Sequence, residues 1–433
     1  MPTDSTSPPS RAIAADLIGA VLRRKHPLDD AMAQNQHLAA LPVRDRAFVR
    51  LLVATVLRRL GQLDALIAAH LAEPLPSRAA VVQDLLRLGA AQLLFLGTPP
   101  HAAVSTSVEL AETLGFPGHK GLVNAVLRRL GRDGSIDVAK QDAAVLNTPP
   151  WLWQGWCGAY GEGVARAIAL AHLEEAPLDL SVRGDPEAWR RSLDAVLLPT
   201  GSLRRASGGT VTALPGYESG AWWIQDAAAA LPARLFGDVA GRDVVDLCAA
   251  PGGKTAQLVA SGAQVTALDR SERRIRRLRD NLARLSFEAE TVVANAETWR
   301  PRKPVPFVLL DAPCTATGAI RRHPDVPYLK AADDIVRLAA AQQRLLAAAI
   351  DMLAPGGVLI YCTCSLEPQE GEHQVARLLA AGAPVRRWPI AAAEIGGLAE
   401  CVTRDGDLRT LPCHLSALGS IDGFYAARLV RAA

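Results

Sequence analysis

Apolar residues recur at helical spacing through the first 130 residues, without any strand-like alternation. The first stripe is formed by Ile13, Leu17, Val21 and Leu22, and prolines separate five or six segments of this kind. Because residues three and four apart share one face of a helix, this spacing predicts amphipathic helices packed against one another. We therefore predict an all-helical bundle over residues 1–135.

The pattern becomes irregular after the bundle. Residues 131–150 are rich in Gly, Asp, Ser and Pro, which predicts a linker. The chain then combines one amphipathic helix, at 161–174, with short strand candidates at 178–183 and 209–214. This mixture predicts a small α/β module over residues 145–220.

From residue 221 onward, short apolar runs alternate with helical segments. Val244–Leu247 and Gln264–Leu268 are strand candidates, and a helical pattern follows each of them. Two later apolar runs, Phe307–Leu310 and Gly357–Cys362, end in small and polar residues. Strand–helix alternation predicts a doubly wound parallel sheet that delivers functional residues to the carboxyl ends of its strands. We predict a Rossmann-like α/β domain over residues 221–433.

Composition narrows the class of protein. Of the 433 residues, 49% are hydrophobic, which excludes a disordered chain, and the net charge is only +3. Arginines concentrate at 270–279, where a polyanion-binding surface and a solvated helix face both remain open. No apolar run has membrane-spanning length, and residues 1–10 form a polar tail without a signal-peptide pattern. We expect a cytoplasmic protein with no membrane partner.

The cysteines suggest thiol chemistry. There are seven, an odd number, and no Cys-x-x-Cys pair occurs. This spacing argues against a disulfide framework or a metal site and fits a reducing compartment. Cys314 and Cys364 follow the two later strand candidates, so their thiols should lie at the same edge of the sheet.

A glycine-rich turn, Ala249–Gly253, follows the first strand candidate of this domain. Glycines there let the backbone approach a ligand, and Asp269, at the end of the next strand, can accept ribose hydroxyls. A helix cap before Ser271 is the alternative role for Asp269. A phosphate-binding loop would need glycine at Cys248, and no G-x-G-x-x-G occurs. These absences leave a nucleoside cofactor without pyrophosphate, and S-adenosylmethionine is the natural candidate.

Several segments together resemble the RNA cytosine-5 methyltransferase family, in particular its Fmu/Sun or RsmB group. They are Trp222–Asp226, Asp246–Thr255, Asp311–Gly318 with Arg321–Asp325, and Tyr361–Ser365. The N-terminal helices resemble a NusB-type RNA-binding domain through His101–Val104 and Lys120–Arg128. The resemblance implies methylation of 16S ribosomal RNA, with S-adenosyl-L-methionine as cofactor and unassembled small-subunit RNA as partner. By default we expect a monomer.

By this resemblance, the glycine-rich turn, two acidic strand ends and one amide form the cofactor site. Its residues are Cys248, Ala249, Ala250, Pro251, Gly252, Gly253, Lys254, Asp269, Asn295 and Asp311. The family usually has Asp at the position of Asn295, where it contacts the adenine amino group. An Asn oxygen accepts that bond without charge assistance, so we expect weaker cofactor binding.

The chemistry of the reaction assigns a role to a thiol and to an acid. Carbon 5 of cytosine is a poor nucleophile, and a thiolate that adds at carbon 6 makes the ring reactive. Asp311 is the candidate that donates a proton near nitrogen 3. Chemistry alone does not distinguish the two cysteines. The resemblance assigns the attack to Cys364 and product release to Cys314.

A cytosine stacked inside an RNA duplex cannot be reached by the thiol, so the target should be single-stranded or flipped out. Arg321, Arg322 and His323 are candidates to hold RNA phosphates, and the alternative is that they cap a loop. A non-catalytic RNA-binding assembly factor is a second hypothesis for the whole chain, although the intact cysteine pair argues against it. A small-molecule methyltransferase is disfavoured by the additional N-terminal modules.

Overall fold

The computed structural model describes residues 10–206 and 210–432. Contacts between residues group the chain into two compact units. The helical unit consists of residues 1–174 and 320–331, and the sheet unit of residues 175–319 and 332–433. Within the described ranges, no helix is both long and apolar enough to cross a bilayer.

Eleven successive helices build most of the helical unit. They are α1 Ser10–Leu22, α2 Leu28–Gln34, α3 Gln36–Ala40, α4 Val43–Arg58, α5 Leu60–Ala68, α6 Ala80–Leu94, α7 Pro100–Thr113, α8 Lys120–Lys140, α9 Ala143–Leu146, α10 Pro150–Tyr160 and α11 Glu162–His172. The apolar faces of α1–α8 form one core, which includes the buried side chains of Leu17, Leu52, Leu85 and Leu127. The predicted helical bundle is confirmed.

The predicted linker at 131–150 is wrong, because α8 continues to Lys140 and two more helices follow. Gly134 lies inside α8, where an added Cβ would come within 2.8 Å of the Leu94 side chain in α6. This glycine therefore permits close helix packing and does not mark a turn. The helix predicted at 161–174 is present as α11, but it belongs to the helical unit, apart from the strands predicted with it.

A segment from later in the chain completes the helical unit. Residues 320–331 contain a one-turn helix, Val326–Leu329, which is α16 in chain order. The Asp325 carboxylate accepts a hydrogen bond from the backbone N–H of Leu28 at 2.8 Å. The Tyr328 hydroxyl donates to the Leu57 carbonyl, also at 2.8 Å. These bonds attach the segment to α2 and α4.

The sheet unit begins with a small antiparallel sheet in the order β2-β3-β1-β4. Its elements are β1 Leu178–Val182, α12 Pro186–Arg190, β2 Val196–Leu197, β3 Leu203–Arg205 and β4 Trp222–Ile224. The strand predicted at 178–183 is confirmed. The strand predicted at 209–214 is wrong for its described part, where Val211–Ala213 forms a 3-10 turn. Gly209, and the predicted tail before Ser10, lie outside the described residues.

The larger sheet of this unit follows the predicted strand–helix alternation. Its elements are α13 Leu231–Arg234, β5 Asp243–Leu247, α14 Gly253–Ala260, β6 Gln264–Asp269, α15 Glu272–Arg284, β7 Glu290–Val293, β8 Val305–Asp311, α17 Ala332–Met352, β9 Leu353–Thr363, α18 Glu372–Ala380, β10 Val385–Arg387, β11 Leu408–Thr410 and β12 Phe424–Arg431. The strand order is β10-β12-β9-β8-β5-β6-β7, with β11 paired to β12.

This sheet is mixed. Strands β9, β8, β5, β6 and β7 are parallel, whereas β12 runs antiparallel to β9, β10 and β11. The Rossmann-like prediction is confirmed for the parallel part, and the antiparallel end was not predicted. Because β5, β6, β8 and β9 are parallel, their carboxyl ends meet at one edge, and the candidate site lies there.

Candidate active site

The glycine-rich turn after β5 is closely packed. The backbone N–H of Ala249 donates to the Leu268 carbonyl at 3.0 Å, which attaches the turn to β6. Gly252 has φ +103°, and an added Cβ would lie 3.0 Å from Leu278 of α15. Both the backbone conformation and the narrow gap therefore require glycine. The turn leads directly into α14 at Gly253.

Asp269 ends β6 and is buried, with 2% of its surface exposed. Its Oδ1 accepts a hydrogen bond from the backbone N–H of Ser271 at 3.0 Å. The N-cap of α15 is Ser271, whose side chain accepts from the Arg274 N–H, so Asp269 does not itself cap the helix. Its Oδ2 lies 3.1 Å from Arg274 Nη1, but the angles are not those of a hydrogen bond. No described residue donates a hydrogen bond to this oxygen. A ribose hydroxyl would satisfy it, so Asp269 fits a nucleoside cofactor.

Asn295 follows β7 and is exposed. Its Oδ1 accepts a hydrogen bond from the backbone N–H of Glu297 at 3.0 Å. The Glu297 carboxylate in turn pairs with Arg344 at 2.8 Å. The nearest carboxylate in sequence is therefore engaged elsewhere and does not stand in for the Asp that the family usually has here.

Lys254 and Asp311 form an ion pair between α14 and the end of β8. The Lys254 Nζ lies 2.7 Å from Asp311 Oδ2 and 4.8 Å from the centre of the Phe424 ring. Burial disfavours the charged lysine, but the Asp311 carboxylate, together with Cys362 and Cys364, outweighs this effect and raises the pKa of Lys254. The lysine is therefore an ammonium ion. The Asp311 side chain keeps 32% of its surface exposed, so it can contact a substrate.

The two predicted thiols come together. The Sγ atoms of Cys314 and Cys364 lie 3.5 Å apart, and both residues are half-buried. The hydrogen bond with Cys364, together with burial, raises the pKa of Cys314 well above its usual value. Either sulfur can donate in this hydrogen bond, so the two thiols are placed to exchange a proton.

The other cysteines near the site are less reactive. Cys362 is fully buried, and burial raises the pKa of its thiol. Burial also raises the pKa of Cys248 to about 12. Both observations are consistent with packing roles. Within the described residues, no group of three or more His, Cys, Asp or Glu side chains is placed to hold a metal ion.

Sequence reasoning missed Glu370, whose carboxylate lies behind the cysteine pair. Glu370 is fully buried and accepts a hydrogen bond from Ser365 Oγ at 2.6 Å. Its surroundings in the sequence, 367–372, are polar and suggest an exposed loop. The only signal in the sequence that could have linked Glu370 to the site is its position six residues after Cys364.

The three candidate RNA-binding residues lie in the helical unit, within the segment 320–331. Arg321 is 1% exposed, so its guanidinium is not available to a phosphate in this conformation. Its carbonyl accepts a hydrogen bond from Arg58 at 2.9 Å. Arg322 is half-buried, and the His323 side chain is 40% exposed and lies 3.5 Å from Asp29. The phosphate-binding proposal is therefore limited to Arg322 and His323.

Comparison with known proteins identifies both parts of the chain. Residues 237–430 match the family described as "16S rRNA methyltransferase RsmB/F", and residues 8–132 match the NusB family. Ribosomal RNA small subunit methyltransferase B of Vibrio cholerae is 36% identical over 387 residues, covering 85% of this chain and 88% of the relative. The Pseudomonas putida protein of the same name is 36% identical over 448 residues and covers 98% of both chains.

A comparison with solved structures agrees with these sequence matches. The crystal structure of PH0851 matches with a TM-score of 0.76 and 20% identity, over 98% of this chain and 99% of that one. At this identity the likeness shows the fold alone. The glycine turn and the unsatisfied Asp269 oxygen fit S-adenosyl-L-methionine, the cofactor of this enzyme class. From the extent and identity of the sequence matches, the chain belongs to the RsmB family of 16S ribosomal RNA methyltransferases.

Proposed function

We propose that this protein makes 5-methylcytosine in 16S ribosomal RNA through a covalent intermediate between Cys364 and cytosine. The observation that carries the proposal is the 3.5 Å separation of the Cys314 and Cys364 thiols. Both thiols stand at the edge of the sheet that also carries Asp311 and the cofactor turn. The names of the relatives, ribosomal RNA small subunit methyltransferase B, support ribosomal RNA as the substrate.

In the first step, the Cys364 thiolate attacks carbon 6 of cytosine and an S–C bond forms. The electron pair displaced toward nitrogen 3 is stabilised by the Lys254–Asp311 pair. Because Asp311 is already bonded to an ammonium group, the proton near nitrogen 3 comes from the pair and not from Asp311 alone. When bound, S-adenosylmethionine supplies the electrophilic methyl group that carbon 5 then takes.

In the last step, a base removes the proton from carbon 5. The electron pair of that C–H bond forms the double bond between carbons 5 and 6 and expels the Cys364 thiolate, and nitrogen 3 returns its proton to the Lys254–Asp311 pair. Cys314 fits the role of this base. Its pKa is raised chiefly by its hydrogen bond with Cys364. Once Cys364 has become a thioether, it no longer shares a proton or a negative charge with Cys314, although burial still raises the pKa of Cys314. Cys314 is proposed to give its proton to solvent at this stage and then to act as the base. Cys364 is then free again, and Cys314 carries the proton taken from carbon 5. After proton exchange with solvent, both residues are ready for the next turnover.

Recognition of the RNA is assigned to the helical unit. Arg322 and His323 are proposed to hold phosphates of the substrate strand, and the NusB-like helices to bind the RNA. The proposed substrate is small-subunit RNA not yet assembled with ribosomal proteins, and the proposed enzyme is a cytoplasmic monomer. The match of residues 8–132 to the NusB family supports this assignment.

The experiment that tests the mechanism combines tritiated S-adenosylmethionine with small-subunit ribosomal RNA and three proteins. Wild type should transfer the label, and Cys364→Ala should transfer none and form no adduct. Cys314→Ser should accumulate RNA covalently bound to the protein, since release is blocked. An adduct in Cys364→Ala and none in Cys314→Ser would reverse the two roles. No transfer by wild type would reject the proposed function in favour of a non-catalytic RNA-binding factor.

A further inference from the structure

Glu370 connects the two segments that carry the reactive cysteines. It is fully buried and ends a short 3-10 helix after β9. Its carboxylate accepts hydrogen bonds from the backbone N–H of Thr315 at 3.1 Å, from Ser365 Oγ at 2.6 Å and from the Thr315 hydroxyl. Thr315 directly follows Cys314, and Ser365 directly follows Cys364. One carboxylate therefore joins the neighbours of both thiols.

The carboxylate is itself held in place. The Gln342 amide of α17 donates to Glu370 Oε1 at 3.1 Å and to the Pro313 carbonyl at 2.9 Å. Pro313 is the residue before Cys314, so the same amide supports that segment from its other side. The Tyr361 hydroxyl donates to the backbone carbonyl of Glu370 at 2.7 Å, which fixes the residue to β9.

A residue that only filled space at position 370 would not need a carboxylate. Burial raises the pKa of Glu370, and the hydrogen bonds from Ser365 and Thr315 oppose that effect. Removing a carboxylate from water is costly, and apolar residues of similar volume often stabilise such positions as well or better. A carboxylate that accepts from both cysteine segments contributes something an apolar residue cannot, namely a defined distance between them.

We infer that Glu370 is a positioning residue that keeps Cys314 and Cys364 close enough to act in turn on one cytosine. The consequence for catalysis rests on the proposed function, because two thiols that share one base must both reach the same ring. Glu370 is bonded to Thr315 and Ser365, the neighbours of the two thiols, and positions the thiols through them. A misplacement of about 1 Å at a reacting group costs on the order of a hundredfold in rate, so loosening this connection should be measurable.

The kinetic test compares the full-length wild type with Glu370→Gln and the control Asp407→Asn. Asp407 is also a buried carboxylate of the sheet unit, and it accepts from the Tyr425 hydroxyl at 2.7 Å. We expect Glu370→Gln to lower kcat for methyl transfer by roughly tenfold or more, with KM for RNA changed by less than about twofold. Asp407→Asn should keep the wild-type kcat even if its melting temperature falls as much as that of Glu370→Gln.

A second measurement reports the thiol separation without any methyl transfer. Oxidised glutathione is added, and the Cys314–Cys364 disulfide is quantified by peptide mapping. The two protein thiols are oxidised, and one glutathione disulfide is reduced to two glutathione thiols. Wild type and Asp407→Asn should form the bond at the same rate, and Glu370→Gln at least about fivefold more slowly. Ser365→Ala removes the hydrogen bond to Glu370 and those that the same hydroxyl makes with Thr315, Thr317 and the Glu367 backbone N–H. It keeps the carboxylate and its bonds to Thr315, so it should show a smaller decrease.

The outcomes separate this inference from the proposed function. If wild type methylates no RNA but disulfide formation still slows in Glu370→Gln, the proposed function fails and the positioning role stands. If Glu370→Gln matches Asp407→Asn in both kcat and disulfide rate, Glu370 is only a structural residue. Failure of the wild-type thiols to form the disulfide would also overturn the inference, because it contradicts their 3.5 Å separation.

Discussion

Asp246 is completely buried, as Glu370 is. Its Oδ2 accepts a hydrogen bond from Thr255 Oγ1 at 2.6 Å, and its Oδ1 has no donor among the described residues. Burial raises the pKa of Asp246 from 3.8 to about 7. The folded protein therefore binds this proton more tightly than the unfolded chain. The stability it contributes is complete at low pH and is lost as the pH rises from about 4 through about 7.

Asp246→Asn should remove this pH dependence, because the amide stays neutral and can still accept from Thr255. We expect the melting temperature of the variant, relative to wild type, to rise steadily between pH 5 and about pH 7 and then level off. The measurement is thermal unfolding without cofactor across that range. Asp243→Asn, on the same strand but partly exposed, serves as the control. A difference between Asp246→Asn and wild type that does not change with pH would show that Asp246 is ionised in the folded state throughout.

Packing between helices explains a glycine that the sequence pattern does not. Gly61 lies in α5, and an added Cβ would come within 1.7 Å of the Leu146 carbonyl oxygen in α9. A backbone atom cannot rotate away as a side chain can, so α9 would have to move. Gly158 in α10 offers the opposite case, since an added Cβ there meets nothing within 4 Å.

Gly61→Ala and Gly158→Ala should therefore change stability in opposite directions. Alanine is favoured over glycine inside a helix by about 1 kcal/mol, so Gly158→Ala should raise the free energy of unfolding by up to that amount. At Gly61 the clash outweighs this gain, and we expect a net loss of about 2 kcal/mol or more. Denaturant unfolding of both variants gives the comparison. If Gly61→Ala and Gly158→Ala were stabilised equally, the close packing of α9 against α5 in the structure would be contradicted.

At the scale of the whole molecule, periodic elements could be predicted from the sequence, and long-range pairing could not. The helical bundle, the parallel strands and the residues at their carboxyl ends follow from local spacing. The antiparallel arrangement of β12 depends on a partner, β9, about 60 residues earlier, which no local pattern encodes. The linker at 131–150 was mispredicted because Gly134 lies inside α8 and lets it pack closely against α6. Glu370 was missed because a polar neighbourhood hid a buried carboxylate.

The division of the chain into two units also determines which deletion is informative. Residues 1–135 were the predicted N-terminal domain, but the helical unit extends to residue 174 and includes 320–331. Deleting 1–135 would remove α1–α7 and most of α8. Tyr328 and Leu329 of the segment 320–331 would lose the core they pack against, and α9 would lose its contact with α5. Asp325, for example, would lose the Leu28 N–H to which it bonds.

We therefore expect the chain without residues 1–135 to be poorly soluble or to lose cooperative thermal unfolding, because a large apolar surface becomes exposed. The full-length chain is the control. Solubility and calorimetric unfolding of both proteins provide the measurement. If the deletion gives a soluble protein with an unchanged unfolding transition, the helical unit is not one cooperative body. Loss of methyl transfer after this deletion would then reflect RNA binding, and otherwise it would reflect damage to the fold.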